Sequence, residues 1–194
     1  MVKLSAIAPD TASEDAKEAF GEAQQQFGAV INLFRVTGHA PNVLKGILAL
    51  NKHVGDGTEL SSAQVEQVAM LVSALNRCDY CVNVHMQVGK GAGLSEKALL
   101  DAMAGTADDP KAQALLDFTN EVVRNRGLVS DITVTRARQN GLSNKALLEC
   151  IGIIGIYTTL QYVRHFANPE HDFPMVTAFN ADQHGSDDGP LYTS

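Results

Sequence analysis

The chain has 194 residues, 45% of them hydrophobic and 19% charged, which is enough apolar material for one full core and excludes wholesale disorder. Fifteen Lys and Arg against 22 Asp and Glu leave a formal charge of −7. Without a basic block, that balance argues against nucleic acid or an anionic membrane as partner. Three cysteines are too few for a disulfide scaffold, and the close pair Cys78 and Cys81 points to redox or metal chemistry in a reducing compartment. The start, Met1 to Pro9, has one positive charge and no apolar run of signal length, so the expected location is the cytoplasm.

Helix punctuation can be read in chain order. Thr11-Ala-Ser-Glu14 has the form of a capping box and opens a first helix that runs to Gly28. Pro41 starts a second, with Val43, Leu44, Ile47, Leu48 and Leu50 as its apolar positions and Gly55 beyond its end. Ser61 with Gln64 makes another capping box, and Leu60 and Val65 are spaced as a hydrophobic staple, so a third helix starts near Ser62 and runs toward Asn76. The next carries Cys81 to about Lys90 and ends in Gly91-Ala-Gly93.

Two later segments match at an offset of 48 residues: Gly93-Leu94-Ser95 before Lys97-Ala-Leu-Leu100, and Gly141-Leu142-Ser143 before Lys145-Ala-Leu-Leu148. Both read as a glycine stop, a leucine staple, a serine cap and a new helix, and suggest two related helical units. Between them Pro110 opens a helix through Phe118 and Val122 to Gly127, and Ser130 caps another toward Asn140. The last helix spans Asn144 to about Ala167 and is stopped by Pro169. Its strongest apolar run, Cys150 to Tyr157, falls short of the roughly 20 residues that cross a bilayer. From Leu147 to Leu160 it is apolar nearly all round, with Gly152 and Gly155 allowing close approach, which predicts a buried helix and a subunit interface. Glu170 to Ser194 reads as an extended C-terminal arm. No β-alternation of useful length occurs, so the fold class is all-α.

Glu66, Cys78-Asp-Tyr-Cys81 and His85 form the one cluster of reactive residue types. Asn76-Arg77 closes a helix, so the CxxC opens the next, where free N–H groups and the helix dipole favour thiolate. His85 lies four residues beyond Cys81, which stacks an imidazole over the sulfur on one helix face. Glu66 is the only charged residue between Ala63 and Asn76, and its row neighbours Ala69, Met70 and Ser73 make no solvated charge stripe. A carboxylate placed so can orient a histidine or accept its proton. A zinc centre of these four side chains is a formal alternative, but structural zinc prefers Cys and His, and no second CxxC or paired-His motif exists. The redox reading therefore leads, and no metal or cofactor is expected. Cys150 reads as an inert core thiol, and His39, His53, His165, His171 and His184 have no companions at meaningful spacing.

Glu66, then Cys78-x-x-Cys81 twelve residues later and His85 after it, in an all-helical chain, resembles the AhpD-like alkylhydroperoxidases of the carboxymuconolactone decarboxylase superfamily. The resemblance is densest over about 32–104, including Asn32-Leu-Phe34 and Ser73-Ala-Leu-Asn76, and looser beyond. It implies a single AhpD-like helical domain over 1–169, with the CxxC unit at about 32–104 and a second unit at about 110–168, assembling as homotrimers or homohexamers. The implied activity is an antioxidant one, reduction of a peroxide at the expense of an unidentified thiol reductant. Cys81 is then the peroxide-attacking thiol and Cys78 the resolving one, with Glu66 and His85 in a proton relay. This chain has Tyr80 where well-studied hydroperoxidases carry a histidine; a phenol of reference pKa about 10 accepts no proton near neutrality, so steering is its expected role. The alternatives are a general thiol–disulfide oxidoreductase, a carboxymuconolactone decarboxylase-like enzyme, whose true members lack the cysteine pair, and a zinc-stabilised helical interaction module.

Overall fold

In the computed structural model, which describes residues 3–176, the regular structure of the described residues is helical throughout: α1 (Glu14–Phe27), α2 (Asn32–Thr37), α3 (Pro41–Gly55), α4 (Ser62–Leu75), α5 (Asp79–Gly91), α6 (Glu96–Met103), α7 (Pro110–Arg124), α8 (Asp131–Gln139) and α9 (Asn144–Ala167). Most starts are fixed by a capping side chain. Ser61, Ser95, Asp109, Ser130 and Ser143 each accept the backbone N–H three residues on, and at α4 the Gln64 side chain returns the bond to Ser61, completing the capping box. Each such cap contributes about 1 kcal/mol.

The first start differs from the sequence reading. Ser13, not Thr11, caps α1 by accepting the Ala16 N–H, while the Thr11 hydroxyl donates to the Ala8 carbonyl. The proline-led helix α3 also runs one residue further than expected, so that Gly55 is its last residue and Asp56 its C-cap. Helix α2 has no sequence signal: it is six residues long, too short to show a period, and Ile31 at its N-cap offers no capping side chain.

The 48-residue repeat is realised as the same local structure twice. Gly93 (φ 89°) and Gly141 (φ 82°) hold the left-handed position, and the Leu94 and Leu142 amides reach back to the Gly89 and Ala137 carbonyls, both at 3.0 Å. These are Schellman stops, each followed by a serine cap.

Helix α4 is the hub. Its residues from Glu66 to Ala74 are all buried, and it packs against α5, α6, α7 and α9, as expected of a helix apolar on every side. On the far side of α9, α3 packs against both α9 and α1. Helix α9 is long and apolar enough, by length and composition alone, to cross a membrane, more so than its eight-residue run suggests. It buries Leu147, Cys150, Ile153, Ile154, Ile156 and Leu160 against α2, α3, α4 and α7, the packing of a core helix.

Within the single chain, α9 is covered on one side only. Leu148, Ile151, Tyr162 and Phe166 are exposed along its other face, in line with exposed Gly155 and Thr159. Of its two glycines, Gly152 lies against Val54 of α3, and nothing among the described residues approaches Gly155. After α9 the chain runs from 170 to 176 without regular structure and lies against α2 and α5. The remainder of the expected arm, 177–194, lies outside the described residues.

Gly89 marks the tightest helix approach at this end of the core: a Cβ there would stand 2.4 Å from Leu99 Cδ2, and Leu99 is fully buried. Alanine's gain in helix propensity, about 1 kcal/mol, is then outweighed by about 1–3 kcal/mol of overpacking. Gly89→Ala should therefore lower stability by about 1 kcal/mol, yet raise it in a Leu99→Ala background where the clash is gone. A denaturant double-mutant cycle reads the change of sign.

Candidate active site

The site is built by the turn between α4 and α5. The Cys78 amide donates to the Ser73 carbonyl (2.8 Å) and the Arg77 amide to the Ala74 carbonyl (3.0 Å), with Arg77 at φ 56° in the place glycine usually takes in a Schellman stop. That stop delivers Cys78 directly as the N-cap of α5, where its Sγ accepts the Cys81 N–H at 3.3 Å. The cysteine motif thus occupies a helix N-terminus, as its sequence context predicts. The two sulfurs meet as a disulfide pair, with Cα atoms 5.3 Å apart. Beneath them a buried amide chain is fully bonded: Asn76 Nδ2 donates to Gln161 Oε1 (2.6 Å), Gln161 Nε2 to Ser73 Oγ (3.2 Å), and the Ser73 hydroxyl to the Ala69 carbonyl (2.7 Å).

Cys81, His85 and Glu66 line one cavity of about 300 Å³, whose remaining wall is largely apolar; Cys78 is not among its lining residues. His85 Nδ1 lies 2.9 Å from Glu66 Oε2, with both side chains about nine-tenths buried. A carboxylate accepts only, so with Glu66 as carboxylate this bond uses an Nδ1–H and leaves Nε2 as the nitrogen available to a neutral histidine acting as general base. The Tyr157 ring stands against the His85 ring edge at 4.7 Å. Burial, and then the Glu66 charge, push its phenol well above the ordinary value, so it stays protonated beside the histidine.

Tyr80 lines the same cavity but its hydroxyl is committed elsewhere. It accepts the Leu33 N–H at 3.1 Å and donates to the Asp172 carboxylate in a very short bond, while Asp172 also takes the Asn32 N–H at 3.1 Å. Burial, reinforced by Asp172, holds the phenol above its ordinary pKa.

Several residues at the site carry no sequence signal. Asp79 accepts from Arg164 Nη2 at 2.8 Å and from the Tyr80 N–H at 2.7 Å. His171, without companions in sequence, lies 2.9 Å from Asn83 Nδ2 and 3.6 Å from Asp79 Oδ2. Phe173 joins the cavity wall. The Arg164 and His171 pairs span about 85 to 92 positions, where no periodicity or cap chemistry operates. Elsewhere, His39 and His165 meet the backbone carbonyls of Ser5 and Asn76, and His184 lies outside the described residues. Among the described residues no three or more Cys, His, Asp or Glu side chains gather as a metal-binding group. Cys150 is buried against Thr119, and burial pushes its thiol up to about 12.

Comparison with known proteins gives a consistent picture. The carboxymuconolactone decarboxylase family matches residues 41–121, and no curated protein matches. The fold is that of the AhpD core of a peroxidase-related protein from Ralstonia eutropha JMP134, at 18% identity over 88% of this chain and 92% of that one, with a TM-score of 0.78. The debrominase Bmp8 bound to 2,3,4-tribromopyrrole is similar at 16% identity, covering 95% and 96% of the two chains, with a TM-score of 0.73. A peroxidase-related protein from Silicibacter sp. TM1040 gives 17%, 94% and 95%, with a TM-score of 0.72. The family match thus lies over the central helices, and the AhpD-like fold extends over most of the chain.

Proposed function

We propose that the protein is a thiol-dependent peroxidase in which Cys81 attacks and Cys78 resolves. The observation that carries this reading is the shared cavity: Cys81 opens onto it together with the hydrogen-bonded His85–Glu66 pair, and Cys78 does not. The Cys81 thiolate attacks one oxygen of the peroxide; the O–O bond breaks, the sulfur becomes a sulfenic acid, and the alcohol or water leaves with the proton His85 took from the thiol. The Cys78 sulfur then displaces hydroxide from the sulfenic acid, giving a disulfide and water. An external thiol reductant returns the pair to dithiol and is itself oxidised to disulfide. Burial favours this over a general thiol–disulfide oxidoreductase: Cys78 is 0% and Cys81 5% exposed, and a folded protein disulfide cannot descend to them. A reducing cytoplasm supplies the required thiols.

We assign the exposed α9 face, Leu148, Ile151, Tyr162 and Phe166, to contact with a second copy. Ile151→Asp together with Phe166→Lys should shift the mass read by light scattering from oligomer to monomer without loss of helical signal; a monomeric wild type removes the assignment.

Mild peroxide should oxidise two thiols per chain, linking Cys78 to Cys81, and leave Cys150 unmodified even at pH 9 because its thiol stays protonated. Peptide mapping checks this. Cys81→Ser should abolish rapid peroxide consumption, whereas Cys78→Ser should leave a trappable sulfenic acid on Cys81; a sulfenate trapped on Cys78 would reverse the assignment.

The relay has a bounded effect. An unassisted thiol of pKa about 8.5 is roughly 3% thiolate at pH 7, so help in forming thiolate is worth at most about 30-fold. His85→Gln and Glu66→Gln should slow sulfenate formation by about 3- to 30-fold at pH 7, with the deficit vanishing above about pH 9.5 as solvent deprotonates the thiol. Stopped-flow rates across pH decide it, and wild-type rates in Glu66→Gln at every pH would remove Glu66 from the relay.

A further inference from the structure

Among the described residues, Phe173 is the one cavity-lining residue that comes from the segment after α9, and no helix holds it in place. Polar anchors on either side do so instead. On one side, Asp172 accepts from the Tyr80 hydroxyl and the Asn32 amide, and His171 lies against Asn83 and Asp79. On the other, the Val176 amide donates to Asn83 Oδ1 at 2.7 Å and Met175 Sδ accepts from Asn83 Nδ2 at 3.3 Å. Tyr80 and Asn83 flank Cys81 on α5 and are themselves buried. The helix that presents the cysteine therefore also fixes the segment that walls it in.

The wall so completed is apolar, contributed mainly by side chains such as Phe27, Leu33, Phe34, Ile47 and Ile156. Among the described residues the one carboxylate that lines it, Glu66, is bonded to His85. A cavity of about 300 Å³ can take a ring-sized group beside the sulfur, whereas a reagent of two or three heavy atoms has no need to reach Phe173.

We propose that residues 171–176 are a specificity wall, with Phe173 as its determinant for an apolar ring and the Tyr80–Asp172 hydrogen bond as the latch that positions it; the proposal rests on Cys81 being the reacting atom. Tyr80 and Asp172 are positioning residues, acting through Phe173 and not on the sulfur.

The test uses alkylation of Cys81 in the reduced full-length protein, which needs no peroxide chemistry. N-Phenylmaleimide carries a ring and should react with saturation; iodoacetamide is small and serves as reference. Phe173→Ala should raise the half-saturating N-phenylmaleimide concentration by about tenfold, the size expected for a lost apolar contact, while its limiting rate and the iodoacetamide rate change by less than about twofold. Phe173→Leu, which keeps apolar volume and carries little folding risk, should stay near wild type.

Tyr80→Phe and Asp172→Ala should each reproduce part of the Phe173→Ala shift, Asp172→Ala the larger part because it also loses the Asn32 amide, and the double variant should add nothing beyond Asp172→Ala, since the Tyr80–Asp172 bond is already cut there. An unchanged half-saturation in Phe173→Ala overturns the proposal, as does an equal change toward both reagents, which would make the segment a plain plug. Additive effects at Tyr80 and Asp172 overturn the latch. Cumene hydroperoxide consumption by the wild type is scored separately: its absence, with the maleimide shifts as expected, removes the peroxidase reading and leaves the wall standing.

Discussion

The hydrogen bond from the Cys78 amide to the Ser73 carbonyl is the constraint on which the rest of the site depends. It closes α4 and, in the same step, sets the residue at which α5 begins. A helix starting at Asp79 places Cys81 in its first turn, where the N–H groups lack intrahelical partners, and His85 one turn further on the same face. It also sends Tyr80 and Asn83 to the flanks. Shifting that start by one residue would rotate every one of these side chains by about 100°, so that the cysteine and the histidine would leave the cavity as Tyr80 and Asn83 left the C-terminal segment. The left-handed Arg77 inside this stop shows that the turn tolerates some backbone cost to hold its register.

Glu66 depends on that register from the opposite side. It sits on a helix whose neighbouring positions are buried through Ala74, and an isolated carboxylate there would be costly to ionise. His85 resolves the conflict with a bond at 2.9 Å, and the bond in turn fixes the imidazole tautomer. A pair that is needed to satisfy buried charge is thereby also a pair poised to take a proton, so stability and the proposed chemistry place the same demand on these two residues.

Much of this was legible in the sequence because it is local. Helix starts at Ser61, Ser95, Ser130 and Ser143, the two glycine stops, and the i,i+4 relation of Cys81 to His85 all follow from chemistry within a few residues of each other. Glu66 could be picked out because a lone charge in an apolar helix is an anomaly visible without coordinates. Helix α2 escaped notice for want of a cap or a period, and Thr11 misled because Ser13, two residues later, offers the same hydroxyl with better geometry. The exposed face of α9 was hidden by composition: an apolar residue looks the same in sequence whether its own chain covers it or not. Asp172, His171 and Phe173 were illegible for a deeper reason, since their meaning lies entirely in contacts with residues some 90 to 140 positions away.

Tyr80 brings these strands together. In the hydroperoxidases that this chain resembles, the position holds a histidine, a group that changes charge near neutrality. Here a buried phenol, held well above its ordinary pKa, keeps its proton at any physiological pH and can serve as a constant donor to Asp172. Asp172, drawing also on the Asn32 amide, ties the post-α9 segment to both α2 and α5. A histidine at this place would tie that bond to its own protonation state, whereas the tyrosine donor keeps its proton. The tyrosine at this position is thus a fixed donor to Asp172, and in the reading proposed here that anchor carries one wall of the cavity beside Cys81.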